Sequence, residues 1–327
     1  MLKSINGTLR IVHIQSSKEK NNQNIIIHNP QLIPELLLRD NSPTFIHKNL
    51  HGLKNTSIPC MEASLSCPSL SSSKTIYLPE VVYLHTTCSS SLDIAYTLYK
   101  ENLLPIWGSI IVTSQTAGRG QLGRTWCSPI GNVYATVRLP QCELFSKTKA
   151  AIIASTFFIH ALNKIGFHVF LKWPNDIVVF ANKQWCKVGG ILLEERDDIL
   201  LAGVGINMNK NSNEYTIRED ASLQPSNLPP HPLFSGYGSI LPLWLSLVSQ
   251  VYLCYKEHRD VNQKTSWVKL AEQYLCLKNC SVVIKDGLNE HQHYKGIIAG
   301  IHDNGGLILS TSKQKKIFLS GSLYPLL

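Results

Sequence analysis

Three glycines and two arginines lie within the eleven residues from Thr116 to Trp126. Glycine allows backbone amides to approach an anion, and arginine can bind one through two parallel hydrogen bonds. The Lys-Ser/Thr pair that ends a Walker loop is absent, so the segment is not a P-loop. The spacing indicates a loop that binds a phosphate or a carboxylate, although an ordinary glycine loop with solvated arginines would have the same composition.

A second group of polar residues follows a predicted strand and reads Lys172-Trp173-Pro174-Asn175-Asp176. Lysine can neutralise a phosphate, asparagine can hydrogen-bond a base or a ribose, and aspartate oxygens can hold Mg²⁺. These residue types suit nucleotide binding. A plain turn fixed by the proline is the alternative.

Two later segments combine glycines with an apolar strand. Lys187 begins a strand that contains Gly189 and Gly190, where a low dielectric would strengthen the attraction of the lysine for an anion. The segment from Gly203 to Asn209 has a Gly-x-Gly pattern, which suggests that a ligand packs flat against the backbone. A surface lysine and a β-bulge are the alternatives.

Alternating strands and helices are predicted from Thr75 onward, without a strict βαβ order. This pattern favours an α+β fold in which helices cover a mixed sheet. Short strands alone follow and predict a small β-barrel or sandwich near the C-terminus. The predicted strands of the first region are 76–84, 109–112, 169–173, 177–180, 187–193 and 199–206, its helices are 90–102, 150–165, 240–255 and 268–277, and the later strands are 281–285, 294–301, 307–310 and 316–319.

Residues 1–78 carry fewer structural signals. Two β-like pieces, Leu9 to Ile14 and Asn24 to His28, lie among polar runs, and a serine-rich stretch from Ser69 to Ser73 is typical of a linker. Only Pro34 to Arg39 is briefly helical in pattern, whereas a helix–turn–helix needs two or three amphipathic helices. A DNA-reading module is therefore not predicted.

Composition limits the classes of protein to which the chain can belong. Its 327 residues are enough for about two domains, and 44% hydrophobic residues exclude a wholly disordered chain. The net charge of +9 arises from 8 basic and 5 acidic groups in residues 1–80, 17 and 13 in 81–270, and 6 and 4 in 271–327. Because no basic block exists, the charge suits anionic ligands such as nucleotides at least as well as a DNA surface.

The nine cysteines include no Cys-x-x-Cys pair, so buried free thiols are a better interpretation than a zinc site. The longest apolar run, Ile240 to Val248, is far shorter than the roughly 20 residues that cross a bilayer. The N-terminus lacks the pattern of a signal peptide. We therefore expect a cytoplasmic protein without a membrane span.

The four segments resemble, in order and approximate spacing, those of biotin protein ligases, the family that attaches biotin to carrier proteins of carboxylases. Residues 116–126 resemble the Gly-Arg-Gly-x-x-Gly-Arg-x-Trp signature, and residues 172–176 match the Lys-Trp-Pro-Asn-Asp motif. Residues 187–194 and 203–209 resemble the Lys-x-x-Gly-Ile-Leu and Gly-x-Gly-Ile-Asn segments. The resemblance implies a class II synthetase-like catalytic domain at 75–275, a small SH3-like β-barrel at 276–327, and an N-terminal segment at 1–74 of unknown role.

The resemblance also assigns roles to individual residues. Ser90, Ser91 and Gln115 would bind the ureido head of biotin, because hydroxyls and an amide can satisfy its carbonyl and two N–H groups. Lys187 would contact the biotin carboxylate and the α-phosphate of ATP, and Arg124 would steady the glycine-rich loop. The implied biotin site is completed by Gly118, Arg119, Gly120, Gln121 and Gly190, and the implied catalytic residues are Lys187, Arg119 and Arg124.

A separate group of residues is implied for the nucleotide, and its carboxylate, Asp176, is implied as a ligand of Mg²⁺. Leu92 departs from a frequent asparagine of the family, and Gln121 stands where some relatives carry arginine. The thiols of Cys127 and Cys186, beside motif residues, are interpreted as packing groups. The implied nucleotide-binding residues are Lys172, Trp173, Asn175, Asp176 and Asn207.

Such a protein is expected to activate biotin as biotinoyl-5′-AMP and to transfer it to a lysine of a biotin carboxyl carrier protein of the acetyl-CoA carboxylase type. ATP and Mg²⁺ are the implied cofactors, and biotin and the carrier protein are the implied partners. Nucleic acid and membranes are not expected partners. A lipoate-type ligase and a bifunctional ligase that also represses a biotin operon are the alternatives, and a homodimer stays possible.

Overall fold

The computed structural model describes residues 11–16, 23–28, 47–49, 81–208, 223–234, 239–259, 266–286 and 292–326. Within them, an eleven-stranded sheet has the order β3-β2-β1-β4-β5-β6-β10-β9-β8-β7, with β11 beside β9. Strand β4 is parallel to both β1 and β5, whereas β6, β8, β9 and β10 pair antiparallel. The predicted mixed sheet is therefore confirmed. Its strands are β1 (Ile11–Ser16), β2 (Gln23–His28), β3 (His47–Asn49), β4 (Val81–Cys88), β5 (Ser109–Gln115), β6 (Val133–Leu139), β7 (Phe170–Lys172), β8 (Asp176–Ala181), β9 (Gln184–Arg196), β10 (Ile199–Ile206) and β11 (Gln224–Pro225).

Four helices cover this sheet: α1 (Ser91–Lys100), α2 (Ala150–Lys164), α3 (Ile240–His258) and α4 (Ser266–Tyr274). Alternate residues of the central strands point to opposite faces. In β5, Ile110 packs with the apolar residues of α1, whereas Ile111 packs with those of α2 and α3. The sheet is thus the middle layer, with α1 on one face and the other helices on the opposite face. None of the described helices is long and apolar enough to span a membrane.

Helix α1 begins at a defined capping residue. The Ser90 side chain accepts a hydrogen bond from the backbone N–H of Leu92, and Asp93 lies in the first turn, where a carboxylate stabilises the positive end of the helix dipole. Helix α2 differs, because most of its side chains are buried on all sides between the sheet and its neighbouring helices. The cap therefore fixes Ser90 and Ser91 at one end of the sheet.

The C-terminal region forms a five-stranded antiparallel sheet in the order β15-β14-β13-β12-β16. The predicted small β domain is confirmed, but barrel closure is not observed. In the part of the chain that the structure describes, the end strands β15 and β16 do not pair with each other, so the sheet is open. Its strands are β12 (Ser281–Asp286), β13 (His293–Ile301), β14 (Leu307–Ser310), β15 (Lys315–Phe318) and β16 (Gly321–Pro325).

The turn between β13 and β14 joins this small sheet to the larger one. The indole N–H of Trp173 donates to the backbone oxygen of Gly305 at 3.0 Å, and the Thr148 hydroxyl donates to that of Asn304 at 2.7 Å. Trp173 is fully buried. The small β domain therefore supports the turn that contains Asn175 and Asp176.

We expect Gly305→Ala to lower the free energy of unfolding by about 2 kcal/mol, because overlap and a strained backbone would act together. An added Cβ would lie 2.7 Å from the Cα of Lys149, and φ at Gly305 is +90°. Gly123→Ala is the matched control, since Gly123 has φ +68° but open space around a Cβ. Urea unfolding of both variants checks this prediction. Equal losses would mean that the contact with Lys149 contributes nothing.

Candidate active site

A cavity of about 440 Å³ lies where the start of α1, the glycine-rich loop, the 172–176 turn and strands β9, β10 and β16 meet. The structure thereby brings the sequence-predicted residues to one place. Gly118 is the exception, because it lies at the base of the loop and not in the cavity wall. The predicted residues that line the cavity are Ser90, Ser91, Gln115, Arg119, Gly120, Gln121, Arg124, Lys172, Trp173, Asn175, Asp176, Lys187, Gly190 and Asn207.

One corner of the cavity is polar and held by its own hydrogen bonds. Gln115 Oε1 accepts from the backbone N–H of Ser91 at 2.8 Å, and Gln115 Nε2 donates to the Ser128 hydroxyl at 2.9 Å. The Ser91 hydroxyl oxygen lies 2.8 Å from that of Thr136, which donates to it. Ser90 and Ser91 are both buried. Their hydroxyl hydrogens stay available to a ligand, because both oxygens act as acceptors in these bonds.

The glycine-rich loop, residues 118–126, is a short hairpin. The N–H of Gly120 donates to the oxygen of Arg124 at 2.7 Å, and the N–H of Trp126 donates to the oxygen of Gly118 at 2.8 Å. At the tip, Leu122 has φ +57°, and the residue is 72% exposed. The base of the loop is therefore fixed, whereas its tip is exposed at the edge of the cavity.

Arg119 is engaged by carboxylates. Its Nη1 and Nη2 donate to the two oxygens of Asp93 at 3.0 and 2.9 Å, and its Nε donates to Glu194 at 2.9 Å. Hydrogen bonds from Arg119, supported by Arg196, hold the pKa of Asp93 below its usual range against the opposing effect of burial. Arg124 is instead exposed, and no ion partner for it lies among the described residues. Of the two loop arginines, Arg119 is therefore the one held by ion pairs among the described residues.

Two lysines enclose one carboxylate on the opposite wall. Lys187 Nζ lies 2.5 Å from Asp176 Oδ1, and Lys172 Nζ lies 3.2 Å from Asp176 Oδ2. Burial alone would raise the pKa of Asp176, but the charges of Lys187 and Lys172 outweigh burial and lower it. The cluster carries one net positive charge toward the cavity. An anion fits this arrangement.

The predicted Mg²⁺ ligation by Asp176 does not fit this geometry. Each oxygen of the carboxylate already lies against an ammonium group, which would repel a divalent cation. Among the described residues, no group of three or more histidine, cysteine, aspartate or glutamate side chains is arranged to hold a metal ion. Asp176 is better described as the counter-ion that orients Lys187.

Trp126 forms an aromatic wall of the cavity. Its indole lies against Gly205, where an added Cβ would be 2.7 Å from the indole nitrogen, so the contact requires glycine. Lys187 Nζ lies 5.2 Å from the ring centroid, within the range of a cation–π interaction. Glycine in the Gly-x-Gly strand therefore accommodates Trp126, which is a residue of the same protein and not a ligand.

The two predicted nucleotide-binding asparagines differ in the hydrogen bonds that their side chains make. Asn175 donates its amide to the backbone oxygen of Ile191 at 2.7 Å, which ties the turn to β9. Asn207 donates to the oxygen of Ser226 at 2.9 Å, but its Oδ1 is buried without a partner among the described residues. A buried acceptor without a partner is costly, so Asn207 Oδ1 suits an N–H of a ligand. Asn209 of the same motif lies outside the described residues.

Two groups of residues at or beside the cavity were missed by the sequence analysis. Strand β16 adds Gly321, Ser322 and Tyr324 to the cavity wall, and it was not predicted because it is short and includes Pro325. The partners of Arg119 were also missed, because they lie 26 and 75 residues away in sequence. Glu194 and Arg196 carry opposite charges two residues apart on β9, which could have indicated an ion-pair cluster. A solvent-exposed strand has the same charge pattern, however.

Comparisons with known proteins agree with this site. Residues 92–211 match the family model of the Biotin/lipoate A/B protein ligase family. The bifunctional ligase/repressor BirA of Bacillus subtilis is 26% identical over 257 residues, covering 75% of this chain and 74% of that protein. The biotin--[acetyl-CoA-carboxylase] ligase of Paracoccus denitrificans is 23% identical over 230 residues, covering 66% and 89%.

The fold is also found among solved structures. The biotin protein ligase of Aquifex aeolicus, in complex with biotin and ATP, superposes with a TM-score of 0.59 at 23% identity. The match covers 75% of this chain and 99% of that one. The family model and the curated relatives, together with the four motifs gathered around one cavity, identify the chain as a member of the biotin protein ligase family and as a ligase.

Proposed function

We propose that this ligase activates biotin with ATP and transfers it to a lysine of a biotin carboxyl carrier protein. The observation that supports this best is the single cavity that joins a polar corner at Ser91 to the cationic cluster of Lys172, Asp176 and Lys187. A neutral, hydrogen-bonding head group suits the corner. A carboxylate and a phosphate suit the cluster.

In the first step, an oxygen of the biotin carboxylate attacks the α-phosphorus of ATP. The bond from that phosphorus to the bridging oxygen breaks, and pyrophosphate leaves with the electron pair. The carboxylate and the triphosphate are both anions, and bringing them together is costly without a positive charge nearby. Lys187 and Arg124 supply that charge. Asp176 holds the Lys187 ammonium in place at 2.5 Å.

In the second step, the neutral amine of the carrier lysine attacks the acyl carbon of biotinoyl-AMP. The bond to the phosphate oxygen breaks, AMP leaves, and the amine nitrogen gives up a proton as the amide forms. No enzyme nucleophile is required. The protein contributes the positions of the two reactants and the fixed charges.

The remaining groups of the cavity suit the two substrates. The hydroxyls of Ser90 and Ser91 can each donate one hydrogen bond to the ureido carbonyl of biotin. The unpartnered Asn207 Oδ1 can accept from the exocyclic amine of adenine. The rings of Trp126 and Tyr324 offer aromatic faces to a base. The cavity therefore offers hydrogen-bonding groups to biotin and both hydrogen-bonding and aromatic groups to the adenine of ATP.

Exchange of labelled pyrophosphate into ATP tests the first step, because formation of biotinoyl-AMP is reversible. We expect exchange with biotin present in a magnesium-containing buffer and none when biotin is omitted. Lipoate and octanoate serve as matched acids, because a lipoate-type ligase uses the same activation chemistry. Exchange with these acids but not with biotin would contradict the proposed substrate.

We further propose a catalytic region at 75–275, a C-terminal β domain at 276–327 and an N-terminal segment at 1–74 that adds strands to the catalytic sheet. The pairing of β1 with β4 supports the last point. DNA binding is not part of the function we propose. The free thiols of the described cysteines are consistent with the reducing cytoplasm, where we place the protein.

A further inference from the structure

We propose that Asp93, Glu194 and Arg196 are positioning residues that act through Arg119 to keep the glycine-rich loop over the cavity. This inference rests on the proposed function for its kinetic consequences, since the loop would retain biotinoyl-AMP. The four side chains are called the Arg119 latch. Arg119 then contributes to the reaction by holding the loop and not by binding a substrate anion.

The Arg119 latch is a closed ring of alternating charges. Arg119 binds Asp93 with two parallel hydrogen bonds and Glu194 with its Nε. Arg196 completes the ring, with its Nη2 lying 3.2 Å from Asp93 and 2.6 Å from Glu194. Two positive and two negative groups balance within the ring. The ring therefore needs no substrate anion to neutralise it.

The Arg119 latch connects three walls of the cavity. Asp93 lies in the first turn of α1, two residues after Ser91 of the polar corner. Glu194 and Arg196 lie on β9, the strand that also contains Lys187. Arg119 lies at the base of the loop. A movement that carries Arg119 away with the loop would therefore have to break both the bidentate contact with α1 and the contact with β9.

The loop tip explains why such an anchor matters. Residues 122–125 are exposed, and Leu122 has a left-handed backbone conformation that is unfavourable for leucine. A segment with few buried contacts opens readily. The ion pairs of the Arg119 latch, with side chains 19–36% exposed, are the strong polar contacts that connect this loop to the elements on both sides.

The contrast between the two arginines of the loop supports the same assignment. Each of the three guanidinium nitrogens of Arg119 has a carboxylate partner, so its charge is compensated and its direction is fixed. Arg124 lines the same cavity, is exposed and has no ion partner in the described ranges. The cation that can turn toward a substrate anion is therefore Arg124.

The variants Asp93→Asn and Glu194→Gln, and their combination, test the Arg119 latch. Hydrogen exchange of the amides in residues 118–126, measured on the full chain without substrates, should become faster in the double variant. Release of biotinoyl-AMP should accelerate by about tenfold, which is the expected effect of losing charge-assisted hydrogen bonds that are partly exposed. The KM for biotin should rise, whereas kcat for pyrophosphate exchange should change much less.

Asp197→Asn is the matched control. Asp197 is a neighbouring carboxylate that pairs with Lys100 at 2.5 Å and accepts from Tyr96, but it does not contact Arg119. This variant removes an ion pair between α1 and the turn after β9 but none of the ion pairs of the latch. Neither the exchange of the loop amides nor the release of biotinoyl-AMP should change.

Arg119→Ala separates the latch from a direct role in binding. If Arg119 acts through the latch, this variant should match the double variant in amide exchange and in adenylate release. Loss of adenylation in Arg119→Ala, with normal kinetics in the double variant, would overturn the inference and make Arg119 a substrate contact. Unchanged amide exchange in the double variant would also overturn it. If the unmodified protein formed no biotinoyl-AMP, the proposed function would fail, but amide exchange would still decide about the latch.

Discussion

Replacing Lys187 with alanine is expected to slow the formation of biotinoyl-AMP by about 30- to 1,000-fold. One charge-assisted contact in a closed site contributes about 2–4 kcal/mol to the transition state, which corresponds to this range. Lys187 is the cation that the structure orients between Asp176 and the ring of Trp126. Pyrophosphate exchange with biotin and ATP at saturating concentrations measures the effect.

The fold should survive this change. Lys172 stays paired with Asp176 at 3.2 Å, so removal of Lys187 leaves a balanced pair and no uncompensated charge. Lys269→Ala is the matched control, because Lys269 is an exposed lysine of α4 outside the cavity wall. Near-normal exchange by Lys187→Ala, with Lys269→Ala unchanged, would remove Lys187 from the proposed mechanism.

The residues that line the cavity could be predicted from the sequence because each motif is local and the four motifs together resemble those of a known family. Asp176 follows Lys172 by four residues, and the two glycines of residues 189–190 lie on the strand that Lys187 enters. In such short segments, residues that are close in sequence also lie close together in the structure. The same is true of Ser90, whose capping of α1 depends on its immediate neighbours.

The contacts of the two loop arginines could not be predicted in this way. Arg119 and Arg124 have equivalent positions beside glycines in the sequence, and only their partners distinguish them. The partners of Arg119 come from α1 and from β9, so they depend on the packing of the whole sheet. The lysine contacts that disfavour Mg²⁺ at Asp176 could not be predicted for the same reason, since Lys187 reaches Asp176 from an adjacent strand.

The general fold was predictable, but four strands were missed: the short β3 and β11, and the longer β6 and β16. Strand β6 is buried along nearly its whole length, so it lacks the alternation that marks a half-buried strand. Strand β16 is an end strand of only five residues with glycine and proline at its limits. Its pairing with β12, and hence the position of Tyr324 in the cavity wall, depends on contacts that are distant in sequence.

Replacing Asp176 with asparagine should lower the free energy of unfolding by about 3 kcal/mol, because breaking a buried ion pair leaves a charge without compensation. Here two ammonium groups would lose their shared carboxylate. Lys172 is almost fully buried and cannot recover its hydration. Urea unfolding at neutral pH measures the loss. Asp197→Asn, which removes an exposed carboxylate from Lys100, should have a much smaller effect.

The dependence of this loss on pH identifies its cause. The lysine charges hold the pKa of Asp176 below its usual value against burial, so the carboxylate stabilises the protein above the unfolded pKa of about 3.9. The stability difference between the natural protein and Asp176→Asn should therefore be constant near neutral pH. It should shrink as the pH falls below about 4 and the folded protein also takes up the proton. A difference that stayed constant through that range would mean that shape or hydrogen bonding, and not the charge of Asp176, stabilises the cluster.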